Sequence, residues 1–137
     1  MVMAKMSSTL FLVLLGGALG AATRYLVGIL SVHILNDDMG QGLLFPWATL
    51  GINIAGSFAI GLLWGLYLDA DWFQQWGRPL IVMGVLGGFT TFSAFSLDAL
   101  LLFDTHKLAA FGYVLSSVVG CLVAVGLGHW LGFQSGD

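Results

Sequence analysis

The sequence predicts an all-α integral membrane protein with four transmembrane helices, and three observations carry that prediction. Of 137 residues, 58% are hydrophobic and 8% are charged. A soluble domain carries about 25% charge, so this chain cannot build a water-facing surface and the bilayer has to be its solvent. A spanning helix needs ~20 mostly apolar residues, and the length accommodates four of them with short connections. Finally, the 20 glycines recur at four-residue spacing, the pattern by which membrane helices bring their backbones together. We read residues 1–137 as a single transmembrane domain, so any activity sits among the membrane helices.

The first span covers about residues 10–35, interrupted by Arg24. Lys5, the apolar run after Leu10 and the small residues Ala18, Leu19 and Gly20 mimic a signal peptide. Hydrophobicity continues well past that point, so we read a retained span. Asn36, Asp37, Asp38, Met39 and Gly40 make a polar turn. Pro46 suits the start of a second helix over about residues 47–68. Asp69 and Asp71 end it, and a linker with Trp72, Trp76 and Arg78 follows, its tryptophans suited to the headgroup level. Pro79 opens the third span, about residues 80–103, and a turn at residues 104–107 leads to the fourth, about residues 108–133.

Small residues four apart share a helix face. Gly16 and Gly20, Gly61 and Gly65, and Gly84 and Gly88 form such pairs, Ser57 extends the second, and Ser116, Gly120, Ala124 and Gly128 form a longer stripe. Four short helices with such faces make a meagre bundle alone, which points to a homo-oligomer. The loops leave orientation balanced: Lys5 and Arg78 on one side face Lys107 on the other, joined by Arg24 if it reaches that surface. The positive-inside rule needs a clear excess; without one, a chain inserts both ways and an antiparallel dimer follows.

Polar groups inside apolar spans are costly and mark sites. Thr49 and Asn53 lie four apart on the second span, with Ser57 continuing the face. Asn53 is either an ion ligand, its amide donors replacing water around an anion, or an interhelical hydrogen bond. In the third span, glycines followed by β-branched Thr90 and Thr91 make a poor helix interior. A helix broken there frees backbone groups in mid-membrane, where protein or a water-filled site must satisfy them. Phe92 and Phe95 share one face, and their positive ring edges suit an anion; simple packing is the plain alternative. Tyr113 and Ser117 lie four apart in the fourth span, with Ser116 as the neighbouring alternative. Arg24 either concentrates anions at a pore mouth or snorkels to the interface. Asp98 either caps a neighbouring helix or pairs with Arg24. His33, His106 and His129 have no metal-ligand spacing, and Cys121 is the lone cysteine.

At these residues the chain resembles the Fluc/CrcB family of fluoride channels, over nearly its whole length. The resemblance is carried by Gly16-Gly17-Ala18-Leu19-Gly20-Ala21 with Arg24-Tyr25, by Ala48 through Phe58 around Asn53, and above all by Gly87-Gly88-Phe89-Thr90-Thr91-Phe92-Ser93-Ala94-Phe95. It implies a fluoride-selective passive channel of the bacterial inner membrane that exports fluoride and relieves its toxicity. It further implies a dual-topology antiparallel homodimer with two pores and a structural sodium ion at the dimer interface. Carried over by motif, Phe92 and Phe95 are the pore rings and Asn53 the pore amide, with Thr49 beside it. Ser117 and Tyr113 face the pore, Arg24 sits near the vestibule, and the carbonyls of Gly87 and Thr90 bind sodium. Two positions depart from the family pattern: Ala94 stands where members usually carry Thr, and Asp98 where they often carry Glu.

Other readings fare worse. A small multidrug-type exporter relies on a carboxylate in the middle of the first span, and no Asp or Glu precedes Asn36. A non-transporting scaffold subunit leaves the clustered Asn53, Thr90, Thr91, Phe92 and Phe95 unexplained. No nucleophile–base pair or metal cluster appears in the spans, so an enzyme is not expected, and the small net charge of −3 gives nucleic acid no basic surface to bind.

Overall fold

The computed structural model describes residues 2–36 and 45–135, and the polar turn expected at residues 37–40 lies outside them. The described residues are helical almost throughout. Helix α1 covers Val2–Asn36, α2 Trp47–Tyr67, α3 Phe73–Leu86, α4 Phe92–Thr105 and α5 Lys107–Ser135; a single turn, Gly87–Phe89, continues α3 without interruption. Taken as membrane segments, these make four stretches long and apolar enough to cross a bilayer: Met6–Ser31, Trp47–Tyr67, Phe73–Thr105 and Lys107–Ser135. The 21 residues of α2 rise about 32 Å at 1.5 Å each, close to the ~30 Å hydrocarbon thickness of a bilayer.

The helices associate mainly as two pairs, α1 with α3 and α2 with α5, and glycine makes both pairings possible. A β-carbon on Gly16 would run into the Leu80 carbonyl and the Gly84 Cα, and one on Gly20 into the Val85 carbonyl. The α2–α5 seam repeats the device. Gly61 and Gly65 face the backbone of Val125 and His129, while Gly128 and Gly132 face that of Phe58 and Leu62. Lipid supplies no hydrophobic drive between helices, so close backbone packing has to hold each pair.

The small-residue stripe on α5 is displaced by one position from the sequence reading at its N-terminal end. Ala110, Tyr113, Ser117, Ala124, Gly128 and Gly132 are the buried residues, while Ser116 is exposed and donates its hydroxyl back to the Tyr113 carbonyl at 3.1 Å. A strict four-residue repeat drifts around a helix of 3.6 residues per turn, and the buried face follows the helix.

The third span begins earlier than the sequence reading had it. Phe73 has no exposed surface, because it packs among Trp64, Tyr67 and Trp72 with ring centroids 5.7–6.3 Å away. That burial pulls the expected linker into helix, and Pro79 falls inside α3 instead of opening it. A proline ring there would collide with the preceding turn of an α-helix; α3 is wound with wider π-type turns, which accommodate it. Arg78 lies over the Trp64 ring, 5.1 Å from its centroid. The turn between the last two helices is also shorter than expected, with only His106 outside helix.

Candidate functional site

Between the Gly87–Phe89 turn and α4 the backbone is extended, with φ −77° and ψ 157° at Thr90 and φ −152° and ψ 119° at Thr91. Glycines and paired β-branched threonines hold helix poorly, and here side chains take over the hydrogen bonds a helix would have made. In a continuous α-helix the Thr91 N–H would donate to the Gly87 carbonyl and the Ala94 N–H to the Thr90 carbonyl. Instead, Thr91 N–H donates to Asn53 Oδ1 at 2.8 Å, and Ala94 N–H donates to Thr91 Oγ1 at 3.2 Å. Asn53 completes the exchange by donating its Nδ2 to the Thr91 carbonyl at 3.0 Å.

Asn53 therefore grips both faces of one peptide residue from the neighbouring helix, and one of its two amide hydrogens remains for another acceptor. Gly56, one turn further along α2, faces the Thr90 methyl group so closely that a β-carbon would not fit. The Thr90 side chain and N–H both donate to the Leu86 carbonyl at 2.9 Å. Arg24, half-buried on α1, reaches the Thr90 carbonyl from Nη1 at 3.4 Å. That places its guanidinium at the extended residues and not at a surface to which it would snorkel.

A second polar group forms where α2, α4 and α5 meet. Thr49 donates its hydroxyl to Asp98 Oδ2 at 2.7 Å, and the fully buried Tyr113 donates to the same oxygen at 3.4 Å. Neither role read for Asp98 from the sequence is what the structure contains: its carboxylate neither caps a helix nor meets Arg24, but takes the hydroxyls of two other spans. An isolated acid in an apolar span was visible in the sequence; its partners, 49 and 15 residues away, were not. Ser117, 4% exposed, lies one turn from Tyr113, and its hydroxyl has no hydrogen-bond partner among the described residues.

Aromatic rings run from the extended segment into this second group. Phe92 and Phe95 have centroids 5.4 Å apart, and Phe95 and Tyr113 are likewise 5.4 Å apart. Phe45, which the sequence reading missed, meets Tyr113 edge-on at 5.5 Å. Along this line burial changes abruptly: Phe95 is 9% exposed and Phe92 is 78% exposed. The Gly87 residue is exposed as well. The structure thus brings Asn53, Thr90 and Arg24 together at the extended residues, and Thr49 and Tyr113 together at Asp98, with Phe95 against the Tyr113 ring. Among the described residues, no three His, Cys, Asp or Glu side chains are placed to hold a metal.

Four membrane-length helices with an amide, hydroxyls and rings gathered between them define a multi-pass α-helical membrane protein. The chain belongs to the CrcB family: the family described as CrcB-like protein, Camphor Resistance (CrcB), matches residues 11–129. Among similar proteins is one from Chelativorans sp. (strain BNC1), 46% identical over 123 residues, which cover 89% of this chain and 94% of the relative. A second, from Sphingopyxis alaskensis, is 45% identical over 122 residues, 88% of this chain and 92% of the relative. A third, from Paracoccus denitrificans, is 46% identical over 128 residues, 93% of this chain and 96% of the relative. All three are named fluoride-specific ion channel FluC.

Proposed function

We propose that this protein is a fluoride channel, an ion-conducting and non-enzymatic membrane protein that lets the anion leave the cell down its gradient. The observation that carries the reading is its close kinship, over nearly the whole chain, with proteins named fluoride-specific ion channels. The chemistry of the site supports it. Fluoride is small and strongly hydrated, so a pore must replace water with hydrogen-bond donors and positive ring edges. Asn53 retains one amide hydrogen, and the buried Ser117 hydroxyl has no other partner among the described residues. Phe92 and Phe95 supply ring edges. Thr49 and Tyr113 spend their hydroxyl hydrogens on Asp98, so in this reading they line the path and fix that carboxylate. Arg24 contributes a positive charge at the extended segment.

The finer reading is an antiparallel homodimer with a broken third helix in each copy. Its support is the exposure of Phe92 and Gly87, groups that a second copy would cover, together with the balanced loop charges. Reporter fusions that place the C-terminus on one side only would overturn the antiparallel arrangement. A hard cation takes oxygen ligands, and the donor set fits the sodium ion. The Gly87 and Thr90 carbonyls have lost their α-helical donors to Asn53 and Thr91. A carbonyl has two lone pairs, so the long contact from Arg24 leaves Thr90 able to accept again. A sodium ion held by these carbonyls from both copies would supply a fixed positive charge between them.

The test is fluoride efflux from liposomes containing the purified protein, read with an ion electrode against a chloride control. Fluoride release without matching chloride release is expected. Equal release of both anions, or none from folded protein, would overturn the reading.

A further inference from the structure

We propose that Asn53 and Thr91 form a clasp whose task is to keep the Gly87 and Thr90 carbonyls clear of their helical donors and open to a cation, so that both are positioning residues for that site and neither is a ligand to it. This rests on the cation reading above and goes beyond it, because it names what holds the carbonyls open. Each carbonyl has a natural donor four residues on, Thr91 N–H for Gly87 and Ala94 N–H for Thr90. Left alone, those amides would close the helix and consume both acceptors. One is captured by Asn53 Oδ1 and the other by Thr91 Oγ1, at 2.8 and 3.2 Å. Two further contacts hold the clasp in place. Asn53 Nδ2 donates to the Thr91 carbonyl, and Ser93 Oγ lies 3.3 Å from Thr91 Oγ1. Thr91 is 8% exposed, so water does not compete for these bonds.

The clasp also ties the cation site to the anion path, because Asn53 serves both through different atoms. Its carbonyl oxygen and one amide hydrogen hold Thr91, and the other hydrogen is left for the anion. Thr91 itself touches neither ion in this scheme. Changing its hydroxyl therefore acts on the Thr90 carbonyl, whose helical donor it captures, without touching the rings or the amide.

The experiment compares the full-length wild type with Thr91→Ser and Thr91→Val in detergent. Unfolding temperature is followed as sodium chloride replaces N-methylglucamine chloride at constant ionic strength. Sodium should stabilise the wild type and Thr91→Ser with the same half-saturating concentration. Thr91→Val keeps the shape but loses the acceptor, and should need roughly ten-fold more sodium or beyond, the usual loss when a group that orients a metal ligand is removed. A folded Thr91→Val variant with the wild-type sodium dependence would overturn the clasp while leaving the cation reading standing. A wild type indifferent to sodium would overturn the cation reading, and the clasp with it. If Thr91→Val does not fold, amide exchange in the sodium-free wild type decides: the Thr91 and Ala94 amides should exchange slowly, and fast exchange at either overturns the proposal.

Discussion

The seam between α2 and the last third of α5 and the contact between α2 and the extended residues of the third span use the same helix in opposite ways. Along the seam, Gly61, Gly65, Gly128 and Gly132 bring backbone against backbone, and each helix satisfies its own peptide groups. At the extended residues the backbone has left the helix, and Asn53, Thr91 and Arg24 supply the missing partners. In a bilayer both are ways of obeying one constraint, that no peptide group may go unsatisfied. The seam meets it locally and is therefore tolerant of sequence as long as residues stay small. The extended segment meets it through side chains far away in the chain, so single atoms matter there.

The largest effect should come from filling the seam. Gly128→Val places side-chain carbons on the Phe58 carbonyl, a backbone group that cannot turn away. Overpacking of this kind costs about 1–3 kcal/mol or more, and size-exclusion chromatography should show loss of the folded species. Next is Asn53→Asp, which replaces the donor to the Thr91 carbonyl with a second acceptor and brings a negative charge onto the proposed anion path. The lost and unsatisfied bond costs about 1–3 kcal/mol; denaturation should report that loss, and efflux should show no fluoride flux.

Phe92→Ile sharpens the comparison from the other side. The ring is 78% exposed in a single copy, and isoleucine keeps an apolar side chain for a second copy to cover, so the folded protein should persist while fluoride flux disappears; unchanged flux would remove the ring from the path. The smallest effect on stability is expected for Ser117→Ala. Its hydroxyl is buried without a hydrogen-bond partner among the described residues, so removing it should leave stability unchanged or raise it by up to about 1 kcal/mol. Fluoride flux should nevertheless fall, and thermal unfolding run alongside efflux separates the two effects.

Much of the site was visible as residue type and little of it as partnership. Asn53, Thr49, Tyr113 and Ser117 stood out because polar groups are rare in apolar spans, and Phe92 and Phe95 because of their spacing beside a glycine-rich run. The role of Asn53 was open between ligand and interhelical bond, and the structure gives it the bond while leaving one hydrogen over. Asp98 stands out as an isolated charge, but neither alternative that its position suggests, a helix end or Arg24, is the pair of hydroxyls it meets. Spacing along one helix says nothing about which residue on another helix comes opposite. Phe73 shows the same limit in the fold. Its complete burial lengthens the third span toward the N-terminus, and a proline that reads as a helix start ends up inside.

Composition and spacing by themselves determined that the chain lives in a bilayer, crosses it with four apolar stretches, and packs through small residues, because those properties depend on local hydrophobicity and on side-chain size at helical intervals. Only the tertiary structure decided which small faces meet, α1 with α3 and α2 with α5, and where the hydrogen bonds surrendered at Thr90 and Thr91 go. Those outcomes depend on contacts between residues distant in the chain. In a medium without water to satisfy stray polar groups, such contacts are chosen by the whole set of helices at once.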